Sequence, residues 1–237
     1  MKPSEGIKMI FPVRRQTTIS RTEFIASWFA HHMPYTIKAM GDRGWGYIGT
    51  VFNAADQVSD TAWDGIAQMF LNEPLRNPCG GFGVVPADSF HERAVEPYFG
   101  WPTKEFIILS GSNDLQVHPL TLDAPFPCSR SGFFKVVMFT PANPQVDPQL
   151  LETHWRQTRA PQMQGTMEAT KGFRYVVSIG QNQTHRGHHR EYAAMEELYF
   201  NDEADWHNFL RIVKPDPFLP SDIAYYFADT EFVAIPT

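Results

Sequence analysis

Two short runs along the chain, Gly6-Ile7-Lys8-Met9-Ile10-Phe11 and Gly132 to Met138, share one pattern: each has the β-branched and aromatic content of a buried strand, with Lys8 and Lys135 at matching places. Each run leads into a helical pattern. In the first, Phe24, Ile25, Trp28, Phe29 and His32 recur at helical period and make one apolar face, while Ser20 and Glu23 have the spacing of a capping box. In the second, Asp147 stands where a helix cap is needed. Trp28, His32 and Pro34 have the same mutual spacing as Trp155, Arg159 and Pro161, at an offset of 127 residues that also aligns the two lysines. Three further matches follow in order. Gln68 to Glu73 answers Glu197 to Asp202, Phe90-His91 answers Trp206-His207 in a second and shorter helix, and Lys104 to Ile107 answers Thr230 to Val233.

Read as a repeat, these matches predict strand, long helix, strand, strand, shorter helix, strand, twice over. That is the β-α-β-β-α-β order of a ferredoxin-like unit, so the expected fold class is α+β. A four-stranded antiparallel sheet with helices on one face leaves its other face bare. Two such sheets are therefore expected to pack face to face as an intramolecular dimeric α/β barrel. The expected domains are residues 1–110 and 132–237. Residues 111–131, which hold Pro119, Pro125, Pro127, Ser129 and Ser131 without a clean period, read as a linker. Pro74 to Pro86, with Gly80, Gly81 and Gly83, reads as a loop insertion special to the first copy.

Composition narrows the function classes. With 237 residues, 43% of them hydrophobic and 14% aromatic, the chain has the material for large apolar cores. A formal charge of −6, with no Lys/Arg-rich run, favours neither a phosphate backbone nor an anionic membrane as partner. The start, Met-Lys-Pro-Ser-Glu-Gly, does not read as a signal peptide, no stretch reads as apolar enough to span a bilayer, and the expected address is the cytoplasm. Cys79 and Cys128 lie in no metal-ligand spacing, and that compartment argues against a disulfide between them. For the same reason the sequon at Asn182 is idle.

The helix motif, Phe24-x3-Trp28-x3-His32-x-Pro34, lying after one strand and before an Asp64-Gly65-Ile66-Ala67 strand, resembles the EthD-like family. The resemblance covers most of both copies and implies the dimeric α/β-barrel superfamily. Such proteins are usually single units that dimerise, so this chain looks like two protomers fused. The motif residues carry over as Trp28, His32 and Pro34. The second copy departs from the pattern, with Arg159 in place of the histidine and Leu151 in place of the phenylalanine. The resemblance implies small-molecule chemistry associated with ether-degradation gene clusters and with fungal dehydration of polyketides, under an oxidoreductase or a lyase label.

Among the residues themselves, His32 is the candidate catalytic group. A histidine on the apolar face of a helix is either a core residue satisfied by a carbonyl or a desolvated acid or base facing a ligand. Trp28, His31, Arg159 and Trp155 are the candidate substrate-binding residues. His31, about 100° round the helix, is expected to face solvent or a neighbouring loop. Arg159 either holds a substrate anion or pairs with an internal carboxylate. His185, His188 and His189 invite a metal, but no cysteine or fixed carboxylate pattern accompanies them, so no metal and no other cofactor is expected. Trp45, Tyr47, Trp63, Phe70 and Phe106 are expected to line the sheet, mostly as core. A haem protein of the same tandem build would need an axial histidine where the second copy has Arg159. The expected function is cofactor-independent acid/base chemistry (dehydration, cyclisation or oxygenation) on an apolar, aromatic or polyketide-like molecule. The alternative is a non-catalytic barrel that binds an apolar ligand or serves in assembly. The expected partners are a small apolar molecule and, for fused barrels, a second copy of the chain.

Overall fold

The computed structural model of the chain describes residues 2–53, 62–75, 79–80, 88–111, 115, 127–143, 145–181 and 192–235. In chain order its main elements are β1 (Ile7–Val13), α1 (Arg21–Ser27), a π turn (Trp28–His32), α2 (Met33–Met40), β2 (Gly44–Val51), β3 (Gly65–Leu71), β4 (Cys79–Gly80), α3 (Ser89–Arg93), β5 (Tyr98–Phe99), β6 (Trp101–Ser110), β7 (Cys128–Pro141), α4 (Pro148–His154), a second π turn (Trp155–Arg159), α5 (Ala160–Ala169), β8 (Arg174–Gly180), β9 (Tyr192–Phe200), α6 (Glu203–Ile212) and β10 (Ala224–Ile235). The architecture is α+β, and all strand pairs within each unit are antiparallel. Among the described residues no helix is long and apolar enough to cross a membrane.

The chain folds as two compact units. The first contains residues 6–102 and takes in the last strand segment, residues 229–237. Its sheet has β3 between β1 and β2, with Thr230 to Ile235 of β10 pairing along the outer side of β2. The second unit contains residues 132–228 together with 1–5 and 103–115, and its sheet runs β6, β8, β9, β7. Each unit has its own apolar core between sheet and helices. Phe24, Trp28, Met33, Tyr47 and Phe90 build the first, and Trp155, Met163, Tyr175, Trp206 and Phe209 the second.

The long helix after the first strand of each copy is interrupted by a π turn, and the cause is a proline. Pro34 has no N–H, and its ring collides with the carbonyl four residues back, so an α-ladder cannot pass through it. The chain widens instead, and Met33 N–H donates to Trp28 O, five residues back. Pro161 imposes the same widening, with Ala160 N–H donating to Trp155 O. In a π turn, residues four apart come closer to one full turn than in an α-helix. Trp28 and His32 are accordingly both drawn under the helix and buried, as are Trp155 and Arg159. The expected caps are present. Ser20 and Glu23 form the reciprocal capping box, and Asp147 accepts from Gln149 N–H.

Two glycines make room for the Trp28 ring. A Cβ on Gly65 would stand 2.9 Å from Trp28 Cζ3 and 2.5 Å from Thr50 O, and one on Gly49 would stand 3.1 Å from Trp28 Cζ2. Two expected boundaries move. β7 opens at Cys128, inside the stretch read as linker, because alternating residues there already pair: Cys128 Sγ donates to Val233 O and Arg130 to Glu231. The stretch read as a loop insertion contains β4, which pairs with β5. Of the five aromatics expected in the sheet, Tyr47, Phe70 and Phe106 are buried and Trp63 partly so, whereas Trp45 is exposed at the start of β2.

Candidate functional site

In the first unit the π turn delivers His32 to a carboxylate. Asp88 is the N-cap of α3, where its Oδ1 accepts the His91 backbone N–H at 2.9 Å. That bond fixes the carboxylate, and the other oxygen, Oδ2, lies 2.7 Å from His32 Nδ1. His91, one turn on, places its own Nδ1 2.7 Å from Oδ1. This second approach is off the ring N–H direction, and His91 Nδ1 has no well-formed hydrogen bond among the described residues. Each imidazole has a hydroxyl at its far nitrogen. Thr36 Oγ1 stands 3.3 Å from His32 Nε2, and Tyr98 Oη stands 2.9 Å from His91 Nε2. The Phe90 ring stacks on His32 at 4.5 Å, and Trp28 stacks behind Phe90 at 6.1 Å. Trp28 Nε1 donates to Tyr47 Oη at 3.1 Å, so the polar end of the indole is satisfied inside the core.

These contacts assign protonation states. Burial pulls the His32 pKa below its ordinary value of 6.5, against the opposing hydrogen bond and charge of Asp88. Burial pushes Asp88 up, yet its contacts with His32 and His91 outweigh that and hold the carboxyl well below the usual carboxylate range. The consistent state is an ionised Asp88 accepting the Nδ1–H of a neutral His32, which leaves Nε2 with a lone pair toward Thr36. An imidazole whose far nitrogen is held by a fixed carboxylate is the orienting half of a catalytic dyad: the carboxylate sets the tautomer and stabilises the imidazolium once Nε2 takes a proton. Both groups are largely buried, the side chains of His32 and Asp88 being 9% and 15% exposed.

The second unit uses the aligned positions differently. Arg159 donates from Nε to Glu196 Oε2 at 2.7 Å, with Asp216 Oδ2 3.8 Å from its Nη1. Tyr175 donates its hydroxyl to the other oxygen of Glu196, and His154 Nε2 contacts Asp216 at 2.8 Å while its ring stacks on Phe218. Burial works against the guanidinium charge, but Glu196 more than restores it and raises the Arg159 pKa. With Tyr175 turned to Glu196, Trp155 Nε1 has no hydrogen-bond partner among the described residues. The guanidinium is thus taken up by protein carboxylates.

The sequence candidates are divided between the two units. His32 and Trp28 are buried in one core, Arg159 and Trp155 lie in the other unit, and His31 is exposed on the outside of the π turn. The His185, His188 and His189 cluster lies outside the described residues. Asp88, His91, Tyr98 and Thr36 were not legible as site residues. A signal existed in the Asp88-x2-His91 spacing, a cap and a histidine on one side of a first helical turn, but nothing in the sequence says that it closes on His32.

No protein-family model matches the chain, and no curated protein sequence does either. Solved structures do. A putative monooxygenase from Lactobacillus acidophilus aligns over 98% of this chain and 97% of its own with a TM-score of 0.51 and 6% identity. A putative monooxygenase from Fusobacterium nucleatum aligns over 97% and 94% with a TM-score of 0.53 and 6% identity. Chlorite dismutase from Candidatus Nitrospira defluvii aligns over 95% and 92% with a TM-score of 0.47 and 9% identity. At such identities the likeness to the two monooxygenase structures is one of fold.

Proposed function

We propose that the chain is an EthD-like small-molecule enzyme in which His32, oriented by Asp88, carries a proton to and from an apolar substrate. One observation carries the reading: a buried imidazole with Nδ1 2.7 Å from a helix-capping, ionised carboxylate and Nε2 3.3 Å from the Thr36 hydroxyl. A substrate oxygen or acidic C–H at the ring edge takes the place of the Thr36 hydroxyl. Nε2 accepts the proton, and Asp88 stabilises the imidazolium through Nδ1–H. The same proton is returned to a leaving oxygen in a dehydration or to carbon in a cyclisation. The stacking of Phe90 on His32, with Trp28 behind Phe90, holds the imidazole plane, and the substrate we propose is an aromatic or polyketide-like molecule. Two ferredoxin-like repeats forming an intramolecular dimeric α/β barrel remain the arrangement we propose for the whole chain. The barrel fold of the two bacterial structures, which carry a monooxygenase name, is consistent with small-molecule catalysis and leaves oxygenation of an activated phenol within this proposal.

A second reading has an observation in its favour: both ring nitrogens of His32 already have protein partners. In that reading the barrel binds an apolar metabolite without turning it over, and His32 ties the helix to α3. One experiment separates the two. The protein is incubated in deuterium oxide with a panel of aromatic 1,3-dicarbonyl compounds and phenols, and exchange at the acidic carbon is followed by proton NMR. Exchange that is lost in His32→Gln supports the enzyme. Saturable binding with no exchange above background supports the binder.

A further inference from the structure

We propose that His32, Asp88 and His91 form a binding site for one exchangeable divalent transition-metal ion, of the zinc or cobalt class. The three side chains converge from two elements, and their donor atoms all lie within 4.8 Å of one another. Two imidazoles and one carboxylate, with positions left for water, are a donor set for transition metals rather than for magnesium or calcium. A zinc site with arms of about 2.0 Å separates neighbouring donors by roughly 3.3 Å. The observed 2.7 Å contacts of Asp88 with His32 and with His91 therefore need to open by only a fraction of an ångström.

Two independent features point to a ligand. First, His91 Nδ1 is buried 2.7 Å from Asp88 Oδ1 yet makes no well-formed hydrogen bond among the described residues, which leaves its lone pair available to another partner. Second, the outer nitrogen of each imidazole has a hydroxyl within reach, Thr36 for His32 and Tyr98 for His91. A metal-bound imidazole must donate its other N–H, and both hydroxyls can accept it. The ion-free site is already held together by the His32–Asp88 hydrogen bond, so an ion competes with that bond and exchanges rather than staying as a permanent cofactor.

Occupancy also has a consequence that rests on the proton-transfer reading. An ion on Nδ1 of His32 forces the remaining proton onto Nε2, which then cannot accept another. Metal binding and a working base exclude each other, and the ion switches the site off.

The test is titration of the full chain, stripped with a chelator, with zinc chloride by calorimetry and with cobalt chloride by visible absorption. The expected result is one ion per chain, with the intense d–d bands of a low-symmetry cobalt site. Asp88→Asn keeps the helix cap but loses the charge, and it is expected to weaken binding by about a hundredfold or more. Tyr98→Phe is expected to weaken it by about tenfold or more through the lost outer hydrogen bond. A His188→Ala/His189→Ala chain should bind as the parent does. Loss of binding in that chain with retention in Asp88→Asn, or no binding by the parent at all, overturns the proposal. Either outcome leaves the proton-transfer reading standing, because that reading is judged by deuterium exchange in the ion-free protein.

Discussion

His32 Nδ1 and Asp88 Oδ2 meet at 2.7 Å across a sequence separation of 56 residues. The contact depends on two local devices, the π turn that Pro34 imposes and the N-cap that fixes Asp88. It makes the two aligned helix positions chemically unequal. A neutral imidazole exchanges protons near neutral pH, whereas the guanidinium of Arg159 stays charged and is engaged by Glu196.

The first expectation follows from that inequality. His32→Gln should lower turnover of an identified substrate by about a hundredfold or more, as for a lost general acid or base, with the circular dichroism spectrum unchanged. Asp88→Asn should lower it as well while keeping α3 capped. Normal turnover by both variants would reduce the contact to a packing feature.

Arg159 carries the opposite expectation. Arg159→Met leaves Glu196 buried and without its principal charge partner, and should cost about 3–5 kcal/mol in denaturant unfolding. The double variant Arg159→Met/Glu196→Leu should recover most of that loss. A single variant as stable as the parent would mean that Glu196 finds its compensation elsewhere.

The room under Trp28 is tested at a glycine. Gly65→Ala drives a methyl against the Thr50 carbonyl and the indole edge and should cost about 1–3 kcal/mol by overpacking. Trp28→Phe in the same background should return part of it. A neutral Gly65→Ala would show that the indole shifts freely.

The pH dependence has a defined sign. The folded pKa of His32 lies below its ordinary 6.5, so below that pH the unfolded chain binds a proton that the folded chain resists. Stability should therefore fall as pH drops through the range beneath 6.5. Asp88, also depressed from an ordinary 3.8, adds a further loss only in more acid solution. Melting temperatures measured between about pH 8 and about pH 5 should decline in the parent more steeply than in His32→Gln. Parallel curves would contradict the assignment.

What the sequence made legible and what it hid divide along range of interaction. The capping box at Ser20, the cap at Asp147 and the burial of His32 beside Trp28 rest on spacing within a few residues, and pattern reading found them. The π turns were not read from the sequence although Pro34 and Pro161 announce them, because the apolar period over Phe24 to His32 showed only a helical face. Asp88 and His91 were missed for a different reason. Their side chains matter only through a contact with His32 that tertiary packing creates, and Phe90, which aligned with Trp206, looked like ordinary core beside them. Arg159 was correctly placed at an inward position, but which anion it meets is decided by Glu196 on a strand well downstream.

The most direct measurement of the central claim is the protonation of His32 itself. In nitrogen-15-labelled, ion-free protein at about pH 7, a long-range proton–nitrogen correlation reports which ring nitrogen carries the hydrogen. The expected result is a neutral ring protonated at Nδ1, with an unprotonated Nε2 whose shift moves to the imidazolium value only in acid, and with loss of the Nδ1 preference in Asp88→Asn. A His32 ring protonated at Nε2, or one unaffected by Asp88→Asn, would contradict the account.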